Sequence, residues 1–183
     1  MRYLAPLLLA TIGSCASANT TPTPSTPAVQ TVRVASTSVG TTSMMIISND
    51  GVHTMSVPYT VEKVWAALPA VYDSLGIPRA DFDAKERVIG NHGLKVMRRL
   101  GGTALSKYLD CGRGQMEANA DSYDVFLSVL TKVSPVGDAA ASIATTLEAQ
   151  ARPVAFAGDY VHCTSKGELE QRIVDITQRQ VWR

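Results

Sequence analysis

YDVFLSVLTKVSPVGDAAASIATTLEAQA, residues 123–151, decides the fold class. Tyr123, Val125, Leu127, Val129 and Val133 share one parity, and so do Ile143, Thr145, Leu147, Ala149 and Ala151. Alternation with a period of two places each set on one face of a strand. Between them, Ser134-Pro135-Val136-Gly137-Asp138 supplies turn chemistry. The stretch predicts an antiparallel hairpin with one apolar face, and such a face needs a cover.

Two helices are the expected cover. Val61, Val64, Trp65, Leu68, Val71, Tyr72 and Leu75 follow helical spacing, with Thr60 placed to cap the start and Gly76 with Pro78 to end it. Pro69 removes a backbone donor inside this pattern, which predicts a kink or two abutting pieces. Trp65 and Tyr72 are expected in the core. A C-terminal helix begins near Lys166-Gly167-Glu168-Leu169-Glu170, capped by Thr164 or Ser165, and Leu169, Ile173 and Ile176 give it a stripe running toward Trp182. Strands are expected at 32–38, 43–48, 52–57, 79–83, 86–90 and 94–100. Asn49-Asp50-Gly51 and Asn91-His92-Gly93 are the expected turns, and Thr103 to Leu109 a short helix. The order β, helix, run of strands, terminal helix indicates α+β, not a parallel α/β sheet.

The N-terminus carries a different signal. Arg2 precedes the apolar run Leu4 to Ile12, too short for the ~20 residues that span a bilayer but suited to an export signal. Ile12-Gly13-Ser14-Cys15 resembles the lipobox of bacterial lipoproteins. That resemblance implies cleavage after residue 14, diacylglycerol on the Cys15 sulfur and an acylated new N-terminus, so that a lipid anchor joins the chain to a membrane. Ala16, where an inner-membrane lipoprotein often has aspartate, implies the outer membrane, facing the periplasm. The alternative is an ordinary secretory signal cleaved near Ala16 or Ala18. Residues 15–30, rich in Ser, Thr and Pro, read as a flexible linker reaching up to roughly 45 Å. Residues 31–183 then make one domain.

Losing Arg2 with the signal leaves 16 Lys and Arg against 16 Asp and Glu, so no basic excess invites nucleic acid. With Cys15 given to lipid, Cys111 and Cys163 remain in an oxidising compartment and are expected to form a disulfide. Two buried thiols are one alternative, and a metal site another, though two cysteines with His162 are one ligand short.

No G-x-S-x-G, G-x-x-x-x-G-K-[ST], H-E-x-x-H or helix-opening G-x-G-x-x-G occurs in the chain, and no cofactor or metal is expected. His162 and Cys163 are strand neighbours, hence on opposite faces. His53 and His92 read as exposed polar residues. Asp81, Asp83 and Glu86 lack the spacing of a calcium loop and read as a solvated acidic edge. Lys95, Arg98 and Arg99 read as a charged strand edge that discourages aggregation. Residues 112–123 form an apolar-poor stretch expected to be a long loop, placed by the disulfide, and Arg113, Gln115, Glu117 and Asn119 on it are the candidate partner contacts.

Three stretches, VPYTVEKVWAALPAVYDSLGI, DFDAKERVIG and CTSKGELEQRI, resemble the helix-grip domain of BamC-like lipoproteins of the outer-membrane β-barrel assembly machinery. The likeness covers roughly residues 52–183, although such proteins have two domains where this chain has room for one. It implies a curved antiparallel sheet packed against an internal helix and a C-terminal helix, and no catalytic residues. The expected function is a non-enzymatic, lipid-anchored scaffold or binding accessory with an envelope protein partner. The rival is a carrier or sensor of an apolar ligand held between sheet and C-terminal helix.

Overall fold

The alternating stretch closes into one long hairpin in the computed structural model of the chain, which describes residues 30–31, 45–49, 51–155 and 158–183. The elements are, in order, β1 (Gln30–Thr31), β2 (Met45–Asn49), β3 (Val52–Val57), α1 (Val61–Leu75), β4 (Asp81–Asp83), β5 (Val88–Met97), β6 (Arg99–Leu100), β7 (Thr103–Ala104), α2 (Leu105–Tyr108), β8 (Leu109–Asp110), α3 (Asn119–Ser122), β9 (Asp124–Val136), β10 (Ala140–Arg152), β11 (Val161–Ser165) and α4 (Glu168–Val181). β9 and β10 pair without interruption from Val136↔Ala140 to Asp124↔Arg152. At ~3.4 Å per residue each spans roughly 44 Å, the long axis of the sheet.

The main sheet runs β1-β2-β3-β10-β9-β5-β4, and every described pairing is antiparallel. The far edge of β10 is shared: β3 takes Ala141 to Thr146, and β11 takes Ala149 to Ala151. β8 extends β11 outward. The odd-numbered residues from Val125 to Val133 and from Ala141 to Ala151 are all buried. α1 and α4 lie on that face and pack against each other. Leu68, Val71, Leu75, Leu169 and Ile173 fill the space between. This is an α+β domain with a largely antiparallel sheet, an internal helix and a C-terminal helix.

A chain of hydroxyls runs through this core. The Tyr72 phenol donates to the Ile89 carbonyl at 3.1 Å and lies 2.9 Å from Thr131 Oγ1, itself 3.0 Å from Thr145 Oγ1. A carbonyl only accepts, so the donors run in one sense: Thr145 to Thr131, Thr131 to Tyr72, Tyr72 to Ile89. Burial pushes the Tyr72 phenol above its ordinary pKa, and the Thr131 bond opposes that shift. One strand over, Gly90 allows close approach, for a Cβ there would sit 2.2 Å from the Val129 carbonyl oxygen.

Several expectations need correction. α1 is one helix through Pro69, so the alternative of two abutting pieces does not hold. The lost hydrogen bond costs ~3 kcal/mol, but Leu68, Val71, Tyr72 and Leu75 around it are fully buried at ~1.5–3 kcal/mol each, and packing wins. Asn91-His92-Gly93 is not a turn: β5 runs straight through it as a bulge, with the register shifting between Asn91↔Val129 and Leu94↔Leu127. Strand 94–100 ends instead at Met97, where Arg98 takes a positive φ of 61°. The helix at 103–109 shrinks to α2, flanked by short strands. Gly167, with φ 79°, occupies the N-cap of α4 in place of Thr164 or Ser165. Thr60 does hold the N-cap position of α1, without a side-chain cap bond, and Gly76 ends that helix in the left-handed conformation. Of the N-terminal expectations, the signal, Cys15, the linker and strand 32–38 lie outside the described residues apart from the short β1.

Candidate functional site

Cys111 and Cys163 form a disulfide, with Cα atoms 4.1 Å apart. Beside it, β8 and β11 pair through Asp110↔Thr164 and Leu109↔Ser165, and the Lys166 N–H donates to the Tyr108 carbonyl at 2.8 Å. Covalent bond and ladder together pin the chain where β8 ends. From that point residues 112–118 form a small closed loop. The Gly112 N–H donates to Asp110 Oδ1 at 2.9 Å, the Gly114 N–H to the Glu117 carbonyl at 3.0 Å, and the Asn119 N–H to the Gly112 carbonyl at 3.1 Å. Arg113 and Ala118 make an isolated bridge across it. Gly112 turns the chain with φ 77°, where a side chain would be strained.

Three of the four candidate contacts face solvent. Arg113, Gln115 and Glu117 are exposed, and Met116 between them is 96% exposed. Asn119 is the exception, at 9%. Its Nδ2 donates to the Cys111 carbonyl at 3.0 Å, so it holds the loop shut from inside and is no surface contact. The expected long loop is also shorter than 112–123, because α3 begins at Asn119.

The loop borders a groove of about 660 Å³ whose lining includes Lys107, Asp110, Arg113, Lys166 and Glu168. Three cations and two carboxylates give it mixed charge. Lys166 Nζ donates to the Ser106 carbonyl at 2.7 Å, which fixes one wall. Outside the groove, Arg172 ties α4 to the 101–108 segment, bonding Thr103 Oγ1, the Tyr108 hydroxyl and, at 3.0 Å, the Gly101 carbonyl. The start of α4 is secured by a relay: the Gly167 N–H donates to Ser165 Oγ at 3.0 Å, and that hydroxyl donates to Glu170 Oε1 at 2.6 Å. Glu170 stands three residues past the N-cap, so this is a capping box with a serine inserted. The second Glu170 oxygen is buried without a partner.

The remaining sequence candidates stay apart. His162 is exposed opposite Gln150, while Cys163 is buried opposite Ala149, as alternation requires. His53 pairs with Thr145, whose side chain faces the helices, so it occupies the inner face at the start of α4. The Asp83 carboxylate accepts from the Lys85 and Glu86 amides, and Asp81 Oδ2 accepts from the His92 amide at 3.0 Å. Lys95 pairs with Asp124 at 2.7 Å, and Arg99 donates to the Gly102 carbonyl. Among the described residues no three His, Cys, Asp or Glu side chains gather as metal ligands do.

Sequence reasoning missed Met116, Lys107 and Lys166. Met116 had a signal, a large apolar residue alone in a polar stretch with no periodic partner. The two lysines had none, since they meet only when β11 pairs with β8. No known protein-family model matches the chain, and no curated protein matches it.

Proposed function

We propose that this chain is a lipoprotein anchored through Cys15 in the outer membrane, facing the periplasm, which acts by binding as an accessory of an envelope assembly. The observation that carries the reading is the position of the clamped loop. Cys111–Cys163 holds residues 112–118 at the Asp124 and Arg152 end of the long hairpin, whereas β1 pairs with the first residues of β2, toward the Val57 end of β3. An anchor preceding Gln30 would therefore join the half of the sheet away from the exposed loop, entering β1 in the direction of Val57. Rigid placement lowers the entropy lost when a partner binds. The BamC-like helix-grip likeness belongs to the same proposal, supported by the order of sheet, internal helix and C-terminal helix. The rival carrier needs room between sheet and helix that Leu68, Tyr72, Ile143 and Ile173 occupy.

The test places a photo-crosslinking residue at Met116 or, as a control on α1, at Lys63, in intact cells. Position 116 should give one dominant adduct with an envelope protein, weakened when Cys111 and Cys163 are both alanine. The same adducts from both positions, or none from 116, would refute the reading. Mass spectrometry of the N-terminal peptide tests the anchor separately.

A further inference from the structure

The end of the domain opposite the clamped loop carries a surface of its own. α4 starts with Gly167 against the His53 ring and ends with Trp182 beside Tyr59, so it runs alongside β3 toward the Val57 end. Trp182 is 83% exposed, the largest ring so uncovered among the described residues. It shares a shallow groove of about 480 Å³ with Tyr59, Asp175, Gln178, Arg179 and Arg183. Val136, at the tip of the long hairpin, is also exposed at this end, since Ala141 pairs with Val57.

Charge at this end has a direction. The acids Glu62 and Glu86 are held locally by Arg87 at 3.9 Å and Lys132 at 3.6 Å. Asp175 accepts from Gln171 at 2.7 Å. Among the described residues no ion pair takes Arg179 or Arg183, and Asp175 is the one carboxylate set against these two cations in the groove lining, while Asp83 and Asp138 are exposed acids farther out at this end that no ion pair takes. Tryptophan and tyrosine favour the boundary between hydrocarbon and water because one end of each ring system is apolar and the other polar. Arginine adds attraction to anionic headgroups.

β1 lies beside this end and runs toward it from Gln30 to Thr31. Thr31 pairs with Met45, and the Ile47↔Thr54 register sets Met45 level with Ser56, next to Val57 and Tyr59. We infer that the Trp182–Tyr59–Arg179–Arg183 surface seats the domain on an anionic lipid bilayer, with the ring of Trp182 at headgroup level. This deepens the anchored-lipoprotein reading and rests on it for orientation, because a tether alone leaves the domain free to tumble while a second contact fixes which end faces the membrane.

The chain has two tryptophans, and Trp65 lies partly buried against Phe82 at 5.2 Å between centroids, so Trp65→Phe leaves Trp182 as the only indole. Mature chain with that substitution, isolated from cells, is mixed with vesicles of phosphatidylcholine or of phosphatidylglycerol and phosphatidylcholine, each with brominated acyl chains. Flotation with the vesicles and quenching of Trp182 fluorescence are read separately. The expected result is flotation in both, with strong quenching only in the anionic vesicles, and loss of most of that quenching in Arg179→Glu/Arg183→Glu. Flotation of acylated chain with unquenched Trp182 overturns the seating surface and leaves the anchor standing. Flotation of chain without acyl groups, with Trp182 quenched, overturns the anchor and supports the surface. No flotation at all sinks both. A crosslinker at position 182 that captures an envelope protein, while anionic lipid leaves Trp182 unquenched, would make the surface a protein contact and overturn the lipid assignment.

Discussion

Replacing Cys111 and Cys163 together by alanine should cost the domain about 4 kcal/mol. The two residues are 52 apart in sequence. In the chain-entropy account a closed loop of that length lowers the entropy of the unfolded chain by ~14 cal/mol/K, which is ~4 kcal/mol at 298 K. For a domain of this size each kcal/mol moves the melting midpoint by ~2–4 °C, so the midpoint should fall by on the order of 8–16 °C. Circular-dichroism melts of the oxidised protein, of the protein in dithiothreitol and of the double variant supply the number. A local readout goes with it. The Asn119 and Gly114 amides, bonded to the Gly112 and Glu117 carbonyls, should lose hydrogen-exchange protection more than amides in the centre of β10. A midpoint shift under ~3 °C, with protection at 112–119 unchanged, would refute the reasoning, because the β8–β11 ladder would then hold the loop alone.

Two further substitutions probe the core and the start of α4. Tyr72→Phe removes the middle of the hydroxyl chain and should cost ~1–2 kcal/mol in urea unfolding. It should also flatten the alkaline limb: with the folded phenol raised above its ordinary 10.0, the unfolded state releases that proton first, so the native protein loses stability as pH rises past that value and the Phe variant loses less. Equal slopes above that pH would contradict the burial argument. Ser165→Ala takes from Glu170 Oε1 its described partner, so that both oxygens of a residue 1% exposed are unpaired, and a loss of ~2–3 kcal/mol is expected; a shift of the urea midpoint equivalent to under ~0.5 kcal/mol would show that water or a shifted backbone replaces the relay.

The long hairpin was legible because each of its strands keeps one parity apolar over more than eight residues, and no helix satisfies that pattern. α1 was legible for the corresponding reason at a period of 3.6, and the persistence of the stripe past Pro69 carried more information than the proline itself. The disulfide followed from the two cysteines left once Cys15 is assigned to lipid and from the oxidising compartment that the N-terminal signal leads one to expect. What failed was decided by partners distant in sequence. Asn91-His92-Gly93 advertises a positive φ, which Gly93 does adopt at 75°, but only the strand lying beside it settles between turn and bulge. Asn119 looks like its polar neighbours and turns inward because a carbonyl eight residues back needs a donor. Ser165 was singled out as a cap and does bond near the helix start, two residues earlier than the geometry of a direct cap allows.

The layout of the strands also bears on mechanical load. A pull between Gln30 and Met116 would first strip β1, which has only two residues paired to β2. Tension would then reach Met45 and fall along β2, β3 and β10, nearly parallel to their length. Hydrogen bonds loaded that way share the force side by side and yield together, whereas a pull across the sheet would open them like a zip. The domain should therefore be stiff to tugging along its long axis and soft to tugging across it.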